Sequence, residues 1–138
     1  MREILFRAKR IDNDEWIEGD LLQYLGWGKV HIVQHYKGAG GQEVIPETVG
    51  QYTGVKDMNN KRIFEGDVIS IPYRDDMSGF IEYEKALVFC NDERFAWSVK
   101  FMDGEVLSLE DVIDPSYPND FVVEDNIIDN KELAEIWE

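Results

Sequence analysis

Thr48-Val49-Gly50-Gln51-Tyr52-Thr53-Gly54-Val55-Lys56-Asp57-Met58-Asn59-Asn60-Lys61-Arg62-Ile63-Phe64-Glu65-Gly66-Asp67-Val68-Ile69 is the stretch whose reading decides the fold. It reads as a strand, a tight turn, a second strand and a second turn. Gln51 to Val55 is rich in strand formers, and Gly50 and Gly54 permit sharp bends. Asn59-Asn60 can supply positive φ at both centres of a two-residue hairpin turn. Glu65-Gly66-Asp67 then opens the β-branched run Val68-Ile69-Ser70-Ile71, which Pro72 should end or place at an edge. Small SH3-like barrels often start a core strand after such a Gly-Asp turn, an analogy at the level of fold alone.

Outward from this block the periodicity stays β. Ile4, Phe6 and Ala8 alternate with Leu5, Arg7 and Lys9, and Val30-His31-Ile32-Val33 is a short β-branched run. Phe80 to Glu84 alternates and then passes into Ala86-Leu87-Val88-Phe89-Cys90, continuously apolar, which reads as a central strand buried on both faces. Phe95 to Phe101 and Glu105 to Leu109 flank Asp103-Gly104, a strong short-range hairpin signal. Lys37-Gly38-Ala39-Gly40-Gly41 reads as a flexible loop, since no phosphate-loop spacing follows it. Strands this numerous predict a β-rich α+β fold, a small antiparallel barrel or bent sheet. Helix is expected at the C-terminus, where Asp129 can cap and Leu133, Ala134, Ile136 and Trp137 form one apolar stripe. Segment 108–113 fits either a strand or a short capped helix. No boundary divides the 138 residues, so the expectation is a single domain, 1–138.

At these residues the sequence resembles the YopX family of bacteriophage and prophage proteins. The matching segments are Phe6-Arg7-Ala8, the Gly50-Gln51-Tyr52-Thr53-Gly54 stretch, the Lys56-Asp57-x-Asn59 turn through Lys61, and Phe64-Glu65-Gly66-Asp67. Asn126-Ile127 with Glu132-Leu133 match more loosely. Three departures stand out: Asn60 for the usual Gly, Phe64 for Tyr, and Asp125 for a late Gly. The resemblance implies an SH3-like barrel with hairpin extensions and a phage or prophage origin, hence a bacterial host cytoplasm. It implies no reaction and no catalytic residues. A homo-oligomer is plausible for such proteins, with the C-terminal helix residues Leu133, Ile136 and Trp137 as interface candidates.

The charge is −15, from 14 basic and 29 acidic residues. That excess opposes nonspecific attraction to nucleic acid or anionic membrane, because both require a surplus of Lys and Arg. Residues 1–69 hold 9 basic and 11 acidic side chains, whereas 70–138 hold 5 and 18. The acidic excess therefore belongs to the later half. The single Cys90 in its apolar run is expected to be a small buried hydrophobe, and its lack of a partner fits a reducing compartment. The N-terminus returns to charge too soon for a signal peptide, and no apolar stretch approaches the roughly 20 residues of a membrane span.

Chemical motifs are sparse. His31 and His35, on one strand, would lie about 13 Å apart, too far to share an ion. Glu82 and Glu84 share a strand face, one way to build a general acid, but beside Lys85 they read as a solvent-facing edge. Glu65 and Asp67 could bind a divalent cation, although turn formation explains them more simply. No catalytic, cofactor or metal site is expected. Trp27, flanked by Gly26 and Gly28, is a further interface candidate. The expectation is a nonenzymatic interaction module that meets a protein partner through an acidic, DNA-mimic-like surface. The alternative is a nucleic-acid-binding barrel using Arg2, Arg7, Lys9 and Arg10 with Lys56, Lys61 and Arg62.

Overall fold

A computed structural model describes residues 3–24, 28–34, 40–74, 76–112 and 121–137. The chain divides into two units, 1–54 and 55–138. In the first, the alternating N-terminal segment forms β1 (Phe6–Lys9), followed by β2 (Trp16–Tyr24), β3 (Lys29–Val33) and β4 (Gln42–Val44). A single 3-10 turn, Pro46–Thr48, leads into β5 (Gly50–Lys56), whose last residues enter the second unit. These strands lie side by side in the order β4-β3-β2-β1-β5, and every assigned register among them is antiparallel. Ala8, Ile32 and Val44 are fully buried at the centre, with Phe6, Ile17, Leu21, Val30 and Val49 packed against them.

In the second unit β5 leads through a turn into β6 (Arg62–Phe64). Then come β7 (Asp67–Arg74), β8 (Ile81–Asn91), β9 (Ala96–Phe101), β10 (Val106–Ser108), α1 (Leu109–Val112), β11 (Val122–Asn126) and α2 (Lys131–Ile136). β7 to β10 form a meander and β11 returns to the outer side of β7, giving the order β10-β9-β8-β7-β11. Ile63, Ile69, Ala86, Val88, Val99 and Phe121 make its core, joined by Phe101, Leu109 and Val123. These are the β-branched and aromatic runs of the sequence, with one face of each strand turned inward.

The β-rich α+β class is as the periodicity predicts, and the Asp103-Gly104 hairpin forms with Gly104 at φ +95°. The barrel is different. Among the described residues no barrel closes: in the second sheet β11 adds beside β7 rather than joining β10, and in the first β4 meets the end of β1 only through the isolated Arg10–Val44 bridge. Segment 108–113 is both of its alternatives in succession, strand to Ser108 and helix from Leu109, where the Ser108 hydroxyl accepts the Glu110 N–H at 3.3 Å. Phe95 does not begin β9: it occupies the preceding turn at φ +53°, almost fully exposed. Asp129 does not cap α2, whose N-cap position is Asn130. Instead the Asn126 side-chain Oδ1 accepts the Ile128 and Asp129 N–H groups at 3.0 and 2.7 Å, and its side-chain amide donates to the Asp129 carboxylate, so the turn before α2 is an Asn-built one. Cys90 is exposed rather than buried: it shares the face of Ala86 and Val88 but lies near the end of β8, past the buried residues.

Candidate functional site

The central block becomes two turns held by two buried carboxylates. Asp57 follows the last residue of β5, and its backbone closes the hairpin: its N–H donates to the Lys61 carbonyl at 2.8 Å and its carbonyl accepts the Asn60 N–H at 3.0 Å. Only Asn60 has positive φ, +64°, so the turn is a three-residue type with one left-handed position rather than a two-residue primed turn. That position explains why Asn stands where a Gly is usual, since both tolerate it. The Asp57 side chain does more. Oδ1 accepts the N–H groups of Asn59 and Lys61, each at 2.9 Å, and Oδ2 accepts that of Val123 in β11 at 3.0 Å. One carboxylate thus ties the turn to a strand 66 residues later.

Asp67 performs the same kind of task at the second turn, where Oδ2 accepts the Phe64 N–H at 2.8 Å. Gly66, at φ +91°, donates its N–H to the Val88 carbonyl at 2.9 Å and accepts the Ile127 N–H at 3.0 Å. Both aspartates are 1% exposed. Glu65, beside them, is only half-buried. Phe64 is buried, in keeping with a ring that carries no hydroxyl. Asp125 sits at a register irregularity of β11, where its carboxylate accepts the Asn126 N–H at 2.8 Å and the Asn130 amide at 3.3 Å. The remaining motif residues serve the strands. Gly50 pairs with Arg7 and Gln51 with Phe6, Tyr52 and Thr53 are buried, and Gly54 bends β5 at φ +89°. Lys56 is half-buried and Asn59 exposed.

The basic candidates of the first unit lie among local partners. Lys9 approaches Asp14 at 3.6 Å, and Arg10 makes a two-toothed bond to Asp12, at 2.6 and 3.0 Å. That bond holds the Asp12 carboxyl below its ordinary value and raises Arg10. Arg7 and Lys9 both stack on the Trp16 ring, 4.7 and 5.5 Å from its centre. Arg2, Trp27 and His35 lie outside the described residues, and His31 is half-buried in β3. No group of three or more His, Cys, Asp or Glu among the described residues could hold a metal ion. No helix among them is long and apolar enough to cross a membrane.

The helix candidates diverge. Trp137 is turned into the fold, its indole N–H donating to the Lys100 carbonyl at 2.7 Å, Leu133 is half-buried, and Ile136 is exposed. Glu82 and Glu84 lie on the exposed first half of β8, Glu82 accepting the Tyr73 hydroxyl at 2.5 Å. No residue pattern marks the Asp57–Val123 bond, because a buried Asp in a turn motif looks the same as an exposed one until its distant donor is known.

Comparison with solved structures finds the same fold in a crystal structure of protein EF1440 from Enterococcus faecalis, at a TM-score of 0.51 and 19% identity, covering 96% of this chain and 99% of that one. No curated protein matches the sequence. The model of the YopX protein family matches residues 5–134, and the chain therefore belongs to the YopX family.

Proposed function

We propose that this is a nonenzymatic interaction protein of phage or prophage origin, acting in the cytoplasm of a bacterial host, and that it meets a basic protein partner through the acidic surface of residues 55–138. The supporting observation is how the carboxylates divide. Asp57 and Asp67 are buried and occupied by backbone donors, so the central motif serves the fold. Glu84, Glu93, Glu105, Glu110, Glu132 and Glu135 face solvent. The unit carries 8 basic and 21 acidic residues, net −13, against 6 and 8 in residues 1–54. Duplex DNA presents one charge per about 1.7 Å, and a folded acidic surface competes with it for a basic partner.

The test is affinity capture with the full chain at low and high salt. Recovery of a basic or DNA-binding protein, lost at high salt and weakened by Glu132→Gln with Glu135→Gln, is expected. Failure to recover one overturns the reading. The alternative, nucleic-acid binding through the basic N-terminal residues, is disfavoured by the local carboxylate partners of Lys9 and Arg10. A polarisation titration with single- and double-stranded nucleic acid decides it: salt-sensitive binding at low ionic strength would reverse the ranking.

A further inference from the structure

Glycines apart, three described residues have left-handed backbone: Asp14 at φ +59°, Asn60 at +64° and Phe95 at +53°. Asp and Asn tolerate that conformation because their short polar side chains bond locally, and Phe does not. The β8–β9 turn shows why position 95 is left-handed. Glu93 N–H donates to the Asn91 side-chain oxygen at 3.1 Å and Arg94 N–H to the Asn91 carbonyl at 3.3 Å. One residue is then left to swing the chain back to Ala96, the cross-strand partner of Asn91. Gly or Asn does this with little strain. The aromatic ring gives the free chain nothing in return, since Phe95 is 92% exposed. A residue unfavourable both in its backbone and in its exposure is one that the fold alone does not explain.

The turn stands at an acidic end of the second sheet. β7 and β9 start at this end, and β8, β10 and β11 finish at it. Asp92 and Glu93 lie in the turn itself, both exposed, and Arg94 is its one cation. Ser108 closes β10 opposite Ser98, so α1 starts at the same end with the exposed Glu110 and Asp111. The Gly66 N–H on the Val88 carbonyl sets the half-buried Glu65 there as well, and the exposed Asp129 follows the last pair of β11, Asn126 with Asp67.

Charge complementarity gives the chemistry of the occupant. Phosphate, whether of a nucleic acid or of a lipid surface, is repelled by these carboxylates. A protein surface rich in Lys and Arg is attracted by them, and an exposed Phe offers it about 150–250 Å² of apolar ring to bury. Interfaces are held by such aromatic side chains, seated in desolvated pockets within a polar rim. We propose that Phe95 is the anchor of the acidic interaction surface, entering an apolar pocket rimmed by Lys or Arg on a basic protein partner. The inference rests on the reading of the chain as an acidic interaction protein and names the side chain that holds the complex. The carboxylates then govern the rate of encounter, and the ring governs the lifetime.

Stability and binding test it together. In urea unfolding of the free chain, Phe95→Asn should lower the unfolding constant about 5-fold, because it relieves strain and forfeits no burial. An unchanged or raised constant means that the ring packs on its own chain, and overturns the proposal. Binding is read by surface plasmon resonance against the basic protein that the wild type captures in a salt-sensitive way. Phe95→Asn should weaken it about 30–100-fold through faster dissociation, with the salt dependence of association kept. Phe80→Asn, at a side chain 73% exposed at the other end of the sheet, should leave it intact. p-Benzoylphenylalanine in place of Phe95, and not in place of Phe80, should photo-cross-link to that protein. Undiminished affinity of Phe95→Asn, or no cross-link from that position, overturns this proposal and leaves the acidic surface standing. Recovery of no basic protein overturns both. Phe95-dependent binding to phosphatidylglycerol vesicles or to duplex DNA overturns the assignment of a protein pocket.

Discussion

Asp57 is the residue on which most of the second unit's turn geometry converges. Its carboxylate accepts three backbone N–H groups, one of them from a buried strand. Asp57→Ala strands those donors, and at 1–3 kcal/mol for each unsatisfied group the expected loss is about 3–5 kcal/mol in urea unfolding. Asp57→Asn keeps one acceptor oxygen and should lose less, about 1–3 kcal/mol. Asn60→Ala forces a Cβ into the left-handed region and should cost about 1–2 kcal/mol, whereas Asn60→Gly should be tolerated. At Cys90, partial burial first, then the carboxylates of Glu65 and Asp92, push the thiol above its ordinary value. A raised value means less thiolate at a given pH, so maleimide labelling at pH 8 should be slower in the folded protein than in urea. Its rate should climb with pH later than that of a free thiol.

Among elements, some were open to sequence reading and others were closed to it for definite reasons. Phe6–Lys9, Asp67–Ile71, Ala96–Phe101 and the Asp103-Gly104 turn follow from period-two alternation and turn chemistry. β2 does not announce itself, because Gly19-Asp20 interrupts its alternation. The structure gives the reason for the glycine: a Cβ there would come within 2.4 Å of the Val33 carbonyl oxygen and 2.9 Å of Ile32. Gly19→Ala should therefore destabilise the first unit by about 1–3 kcal/mol, read as a lower urea midpoint. β11, Val122 to Asn126, does not announce itself because three of its five residues are polar and depleted in strands, and two of them, Asp125 and Asn126, turn their side chains to building the following turn. Ala86–Cys90 is central in its pairing, with β7 and β9 on its two sides, but it is not buried on both faces: Ala86 and Val88 are buried while Leu87 and Phe89 on the other face are only half-buried. The alternation of Phe80 to Glu84 marks the earlier start of the same strand, but not that β9 pairs with it only from Ala86 onward, since that is set by where β9 ends. In α2, Trp137→Phe removes the donor to Lys100 and should cost about 1 kcal/mol while keeping the ring packed.

For the whole molecule, charge and architecture fall on the same line. Residues 1–54 are nearly balanced and 55–138 carry net −13. Self-repulsion among like charges destabilises a compact state, and salt screens it over a Debye length of about 8 Å at physiological strength. The thermal midpoint should accordingly rise by about 2–5 °C between low salt and a few hundred millimolar NaCl. A flat or falling response would mean that the exposed carboxylates are already compensated. The family block gave the β class and the turn positions, yet the function was not legible in it, because its buried charges hold backbone rather than meet a ligand.

The Asp57–Val123 bond also sets an order of events. A loop spanning 66 residues must close before the carboxylate gains its last donor, and such closure is slow relative to the local hairpin it completes. On the ribosome, the turn block emerges long before β11 exists. Until then Asp57 can organise its own turn but cannot be buried with all its partners met. The chain thus reaches its finished form only when nearly all of it has been made, and a product cut short before Val123 leaves its central motif unsealed.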